Sequence, residues 1–132
     1  MQTAIRGINH VGIRVTDLEQ SRPFYAKLGF EFVVGPIGPE PVAILRHPSG
    51  ISLNLILNAN VPPDKNILID FPEKRAGYTH VALDVSDLDV VRQVLERQSI
   101  EISEGPVDLP DGGRMLFVRD PDQNVIEFHQ NP

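Results

Sequence analysis

The chain has no cysteine and only four histidines among 132 residues. Without cysteine there are no disulfides, thiolate nucleophiles or thiolate-held zinc, so any metal or acid–base chemistry must come from His, Asp, Glu and Asn. Basic residues are the minority: twelve Lys plus Arg stand against eighteen Asp plus Glu, a formal net charge of −6. That balance argues against nucleic acid or an anionic membrane surface as a partner and points to a small-molecule ligand. No apolar run approaches the roughly 18 residues of a membrane span. The opening residues, Met1 to His10, have neither an apolar h-region nor a small-residue cleavage site, and a cytoplasmic chain is expected. What is present is 41% hydrophobic content, enough to fill the core of one domain of this length.

The most informative feature is an internal repeat. His10 to Glu19 aligns with His80 to Asp89 at an offset of 70, with five identities and four conservative pairs in ten positions; only Arg14 against Asp84 departs. Arg46 to Asn54 aligns with Arg119 to Glu127 at an offset of 73, which pairs Asn54 with Glu127 and places three extra residues in the Pro106 to Gly113 loop.

Each copy reads as strand, helix, strand, strand, strand. Ile8 to Val15 and Thr79 to Val85 alternate with the period of a half-buried strand, one side carrying His10, Gly12 and Arg14, or His80, Ala82 and Asp84. Thr16-Asp17 and Ser86-Asp87 offer helix N-caps, and Leu88, Val91 and Leu95 mark an apolar stripe. Pro23 inside Leu18 to Leu28 predicts a shorter, kinked or delayed first helix, ended by Gly29. Further strands are expected over Phe30 to Val34, Val42 to Arg46 and Ile51 to Leu57, then Ile100 to Ser103, Arg114 to Arg119 and Asn124 to His129. The fold class is α+β: two tandem βαβββ modules, about 5–58 and about 78–130, joined by a polar, Pro-rich linker from about Asn58 to Gly77. Each module covers one sheet face with its helix. The two bare faces are expected to form a curved half-barrel with a pocket, closed within the chain or against a second chain.

His10-Val-Gly-Ile-Arg-Val-Thr-Asp-Leu-Glu19, Phe24-Tyr25, Leu28-Gly29-Phe30, His80-Val-Ala-Leu and Asp120-Pro-Asp-Gln-Asn-Val-Ile-Glu127-Phe128 occur in the order and spacing of a known family. The chain resembles the vicinal oxygen chelate superfamily, which groups glyoxalase (lactoylglutathione lyase), extradiol dioxygenases, fosfomycin-modifying enzymes, methylmalonyl-CoA epimerase and bleomycin-sequestering proteins. The resemblance spans nearly all of residues 1–132 as a single domain. It implies a divalent metal ion held by His10, His80 and Glu127, and a homodimer. Strand alternation independently sets those three side chains on the bare face, where imidazole and carboxylate need partners. Two imidazoles and one carboxylate suit Fe(II) and accept Mn, Ni or Zn. The alternative is a hydrogen-bonded cavity lining, with Glu127 paired to Arg14 or His129.

Asn54 stands where glyoxalases carry Glu or Gln, and asparagine cannot act as a base. Resemblance to glutathione-using members makes Arg14 and Asn58 the contacts for glutathione as a cosubstrate; alternatively Arg14 pairs with Asp84 and Asn58 begins the linker. His129 is a candidate outer partner for Glu127 if the last strand stays regular. His47 reads as a solvated turn residue, and Asp111-Gly-Gly113 as a pocket-edge loop. Lys65, Arg75 and Arg114 are surface cations able to meet an acidic substrate tail. Three functions compete. The first is a lactoylglutathione-lyase-like lyase/isomerase with Glu127 as catalytic base. The second is an Fe(II) extradiol-type dioxygenase, and the third a metal-free binding protein of the bleomycin-resistance kind.

Overall fold

The computed structural model describes residues 1–61 and 64–132, so the part of the expected linker at Pro62 and Pro63 lies outside the described residues. The chain forms two compact units, Met1–Pro62 and Pro63–Pro132. The first contains β1 (Val11–Arg14), α1 (Leu18–Lys27), β2 (Glu31–Ile37), β3 (Val42–Arg46) and β4 (Ser52–Ile56). The second contains β5 (His80–Asp84), α2 (Leu88–Arg97), β6 (Ile102–Asp108), β7 (Arg114–Arg119) and β8 (Val125–Gln130). Each unit is an open four-stranded mixed sheet, ordered β1-β4-β3-β2 or β5-β8-β7-β6, in which the first strand pairs parallel to the last. The α+β, twofold βαβββ organisation read from the repeat is the organisation found. Among the described residues no helix is long and apolar enough to cross a membrane.

Both helices start on an aspartate. Asp17 accepts from the Glu19 N–H, and Asp87 from those of Asp89 and Val90, satisfying backbone donors that have no partner within the helix. The expectation of a shortened first helix is corrected: α1 has 10 residues, as many as α2. Pro23 lies on its exposed face, so the carbonyl left without a proline N–H is open to water. On the opposite face Ser21 and Tyr25 are fully buried and hold the helix on its sheet. Gly29 ends α1 at φ +94°. The repeat places Ser99 at the corresponding point after α2, where it takes φ +56°, an uncommon conformation for a residue with a Cβ.

Alternation along the strands sends Ala43, Leu45, Leu53 and Leu55 to the helix side of the first sheet, and Leu116, Val118, Ile126 and Phe128 to that of the second, all buried. The second core is closed by Leu88 and Leu95 of α2. β2 and β6 run beyond their expected ends, through Gly35-Pro36 and Gly105-Pro106, both cis and both in stretches of shifted register against the neighbouring strand. Glycine is required at this bulge because a Cβ on Gly35 would lie 2.6 Å from Ala43 Cα, and one on Gly105 2.9 Å from the Met115 carbonyl oxygen.

The later part of the expected linker is pinned to the second unit. Asn66 donates to the Gln123 carbonyl at 3.0 Å, and Asp70 binds the Arg119 guanidinium through both oxygens, one at 2.8 Å.

Candidate functional site

On the face of the second sheet away from α2, β5 and β8 run parallel with His80 beside Val125 and Ala82 beside Glu127. This register sets His80, Glu127 and His129 on one face. Glu127 is 7% exposed. Its Oε2 accepts from His129 Nδ1 at 2.8 Å, while its Oε1 faces His80 Nε2 at 3.4 Å. The His80 ring meets Phe117 edge-on at 5.7 Å between centroids, and its Nδ1 lies 2.8 Å from Thr79 Oγ1.

These distances fit a divalent ion. An ion about 2.1 Å from two donors in a tetrahedral array separates them by about 3.4 Å, the spacing of His80 Nε2 and Glu127 Oε1. The other atom of each group, His80 Nδ1 and Glu127 Oε2, is already held by a neighbour, the outer support that orients metal ligands. His10 repeats the pattern just before β1: its Nδ1 lies 2.8 Å from Asn9 Oδ1. An amide oxygen only accepts, so Nδ1 is the donor in this pair and Nε2 is the ring nitrogen it leaves unengaged. Among the described residues no group of three or more His, Asp or Glu side chains is set to hold an ion. Within the second unit, His80 Nε2 and Glu127 Oε1 are the two donors at this spacing.

Arg14, Asn58 and Asn54 belong to the first unit. Arg14 Nε donates to Asn58 Oδ1 at 2.9 Å, so these two predicted contacts do come together. A third residue joins them: Glu40 Oε1 accepts from Asn58 Nδ2 at 3.0 Å and lies 3.4 Å from an Arg14 terminal nitrogen. Asn54, in β4, is half-buried between Gly12 and Ile44 in the sheet register. Asp84, the repeat partner of Arg14, takes a bond from Asn131 at 3.3 Å.

The weaker candidates find structural roles. Arg114 reaches Asp89 and Asp108, each at 3.3 Å, and its hydrogen bond to Asp89 raises its pKa further. Lys65 lies 5.7 Å from the centre of the Phe71 ring. His47 Nδ1 meets Ser49 Oγ at 2.8 Å inside its turn. Glu40, Asn9 and Thr79 escaped the sequence reading. The last two had a legible signal, since each immediately precedes the histidine of its repeat; a glutamate in a Gly-Pro-Glu-Pro turn had none.

A family model describing the Glyoxalase/Bleomycin resistance protein/Dioxygenase superfamily matches residues 7–128, and the chain belongs to that superfamily. It is 30% identical over 132 residues to the uncharacterized protein YwkD of Bacillus subtilis (strain 168), covering 96% of this chain and 98% of that one. It is 28% identical over 130 residues to the metallothiol transferase FosB of Shouchella clausii (strain KSM-K16), covering 95% of this chain and 80% of the relative. The crystal structure of a glyoxalase family protein from Enterococcus faecalis superposes with a TM-score of 0.78 at 29% identity, covering 94% of this chain and 97% of that one. The superfamily includes metal-dependent enzymes.

Proposed function

We propose that this protein is a metal-dependent lyase/isomerase of the lactoylglutathione-lyase kind, acting on a small molecule with two adjacent oxygens. His10, His80 and Glu127 are the proposed ligands for Fe, Mn, Ni or Zn, and the ion would polarise the substrate oxygens as a Lewis acid. Glu127 is also the proposed base, taking a proton from the carbon beside the polarised oxygens and returning it one carbon over. Arg14 and Asn58 would anchor the carboxylate of a cosubstrate such as glutathione, as the guanidinium fork suits. The same proposal has the protein working as a homodimer in the cytoplasm.

The observation that carries this reading is the buried Glu127 carboxylate, with one oxygen held by His129 and the other facing His80 Nε2 at a ligand-to-ligand spacing. It bears on the alternatives too. An extradiol-type dioxygenase needs a further acid–base histidine at the substrate, and His129, its Nδ1 bonded to Glu127, keeps Nε2 for that role. A metal-free binding protein would use the same groups as a hydrogen-bonded lining, to which the Glu127–His129 bond also belongs, and metal content separates the two. A second reading, thiol transfer, is favoured by the 28% identity to a metallothiol transferase over 95% of the chain.

Metal content of protein purified without chelator, followed by turnover of methylglyoxal plus glutathione after loading with each of the four ions, tests the proposal. Near-stoichiometric metal and thioester absorbance are expected, both lost in Glu127→Gln. Trace metal that none of the four ions restores overturns the metal site. Bound metal without thioester, but with thiol consumed in the presence of fosfomycin, moves the assignment to thiol transfer.

A further inference from the structure

The first unit places its own carboxylate where the proposed substrate contacts converge. Glu40 lies in the turn between β2 and β3, with its Oε1 3.0 Å from Asn58 Nδ2 and 3.4 Å from Arg14. Arg14 and Glu40 side chains are 59% and 51% exposed, so the arrangement is open to exchange with a dissolved ion. Glu40 also lines a concavity of about 370 Å³ together with Ile37, Pro39, Val42, Ile44 and Asn54. An apolar bed whose one carboxylate bonds a neighbouring guanidinium and amide matches a ligand that joins an apolar body to a carboxylate.

We infer that Glu40 is a specificity-determining residue, an internal stand-in for the ligand carboxylate. A carboxylate ligand exchanges with it charge for charge on Arg14 and Asn58, and Glu40 turns out to water. A neutral ligand has nothing to offer Arg14 and leaves Glu40 in place, so Glu40 competes with carboxylates alone and sets how strongly one must bind to displace it. The turn includes Gly38 at φ +85° and lies between strands, so Glu40 can swing without disturbing the sheet. An ion pair this exposed contributes at most about a fivefold factor, so the stand-in biases the site without closing it. The inference rests on the assignment of Arg14 and Asn58 to the substrate, and not on the metal.

The test uses the full metal-free chain with hexanoate as probe and hexanol as its neutral counterpart, followed through the Arg14 Nε–H resonance and by titration. Hexanoate is expected to shift that resonance, to bind about two- to fivefold tighter to Glu40→Gln, and to lose most of its affinity in Arg14→Gln. Hexanol should bind both forms equally. An unmoved Arg14 resonance, or hexanoate binding that Glu40→Gln leaves unchanged or weakens, overturns the inference. An equal gain for hexanol also overturns it, because removal of Glu40 would then merely have uncovered the apolar bed. The backbone amide spectrum verifies that each variant is folded, and Glu40→Gln should keep the metal content of the parent, which separates this result from failure of the metal site.

Discussion

Replacing His129 by Phe removes the donor to Glu127 Oε2 at 2.8 Å while keeping a ring in its place. With Glu127 only 7% exposed, water replaces that donor poorly. A hydrogen bond to a charged group is worth about 1.5–3 kcal/mol, or roughly 10- to 150-fold in an equilibrium constant. Loss of an outer partner of a metal ligand costs about 10- to 100-fold in affinity. The two estimates agree, and zinc affinity measured by competition with a chromophoric chelator should fall about 10- to 100-fold in His129→Phe. His129→Gln keeps an N–H donor and should recover part of the loss, and the Co(II) absorption spectrum reports whether the coordination geometry survives. If the Phe variant, shown folded by thermal melting, binds zinc within about twofold of the parent, Glu127 does not depend on His129 and the outer-support argument fails.

Three further predictions concern stability. Ser99→Gly should stabilise the fold by about 0.5–1 kcal/mol, because Gly removes the Cβ penalty of the left-handed conformation at the end of α2. A urea midpoint that is unchanged or lower would refute this, and Gly29→Ser should move the midpoint down, since a Cβ there would lie 2.9 Å from His47 Nε2. Hydrogen bonds from Arg119, then from the Asn66 backbone, hold the Asp70 carboxyl at about 2, below its ordinary 3.8. The folded pKa is the lower one, so between these values the unfolded chain binds more protons and stability rises with pH. The contribution of Asp70 is therefore fully present above about pH 4 and lost as pH falls toward 2; denaturation midpoints of Asp70→Asn should lack that component, and identical pH profiles would refute the assignment.

Much of this fold is written in near neighbours. The period-2 runs through His10 and His80, the capping aspartates Asp17 and Asp87 and the stop at Gly29 depend on residues a few positions apart, and the duplication displays the runs and the caps twice. His80 and Glu127 are legible as a pair for the same reason, because alternation fixes the face of each strand and the repeat supplies their counterparts.

Other features had to wait for long-range packing. Pro23 carries a local signal for a short helix, yet buried Ser21 and Tyr25 hold α1 to its full length while the proline faces water. The second strand of each module is expected from the sequence to end at Val34 or Ser103, but cross-strand pairing carries β2 and β6 on through Gly35-Pro36 and Gly105-Pro106. Asp70 meets Arg119 across 49 positions, and Glu40 meets Arg14 across 26. Local order follows from dihedral preference and side-chain period, which the sequence states outright. Which distant polar groups meet depends on strand register and on where a hairpin returns, and those are chosen by burial of the whole sheet, so only the tertiary structure could reveal them.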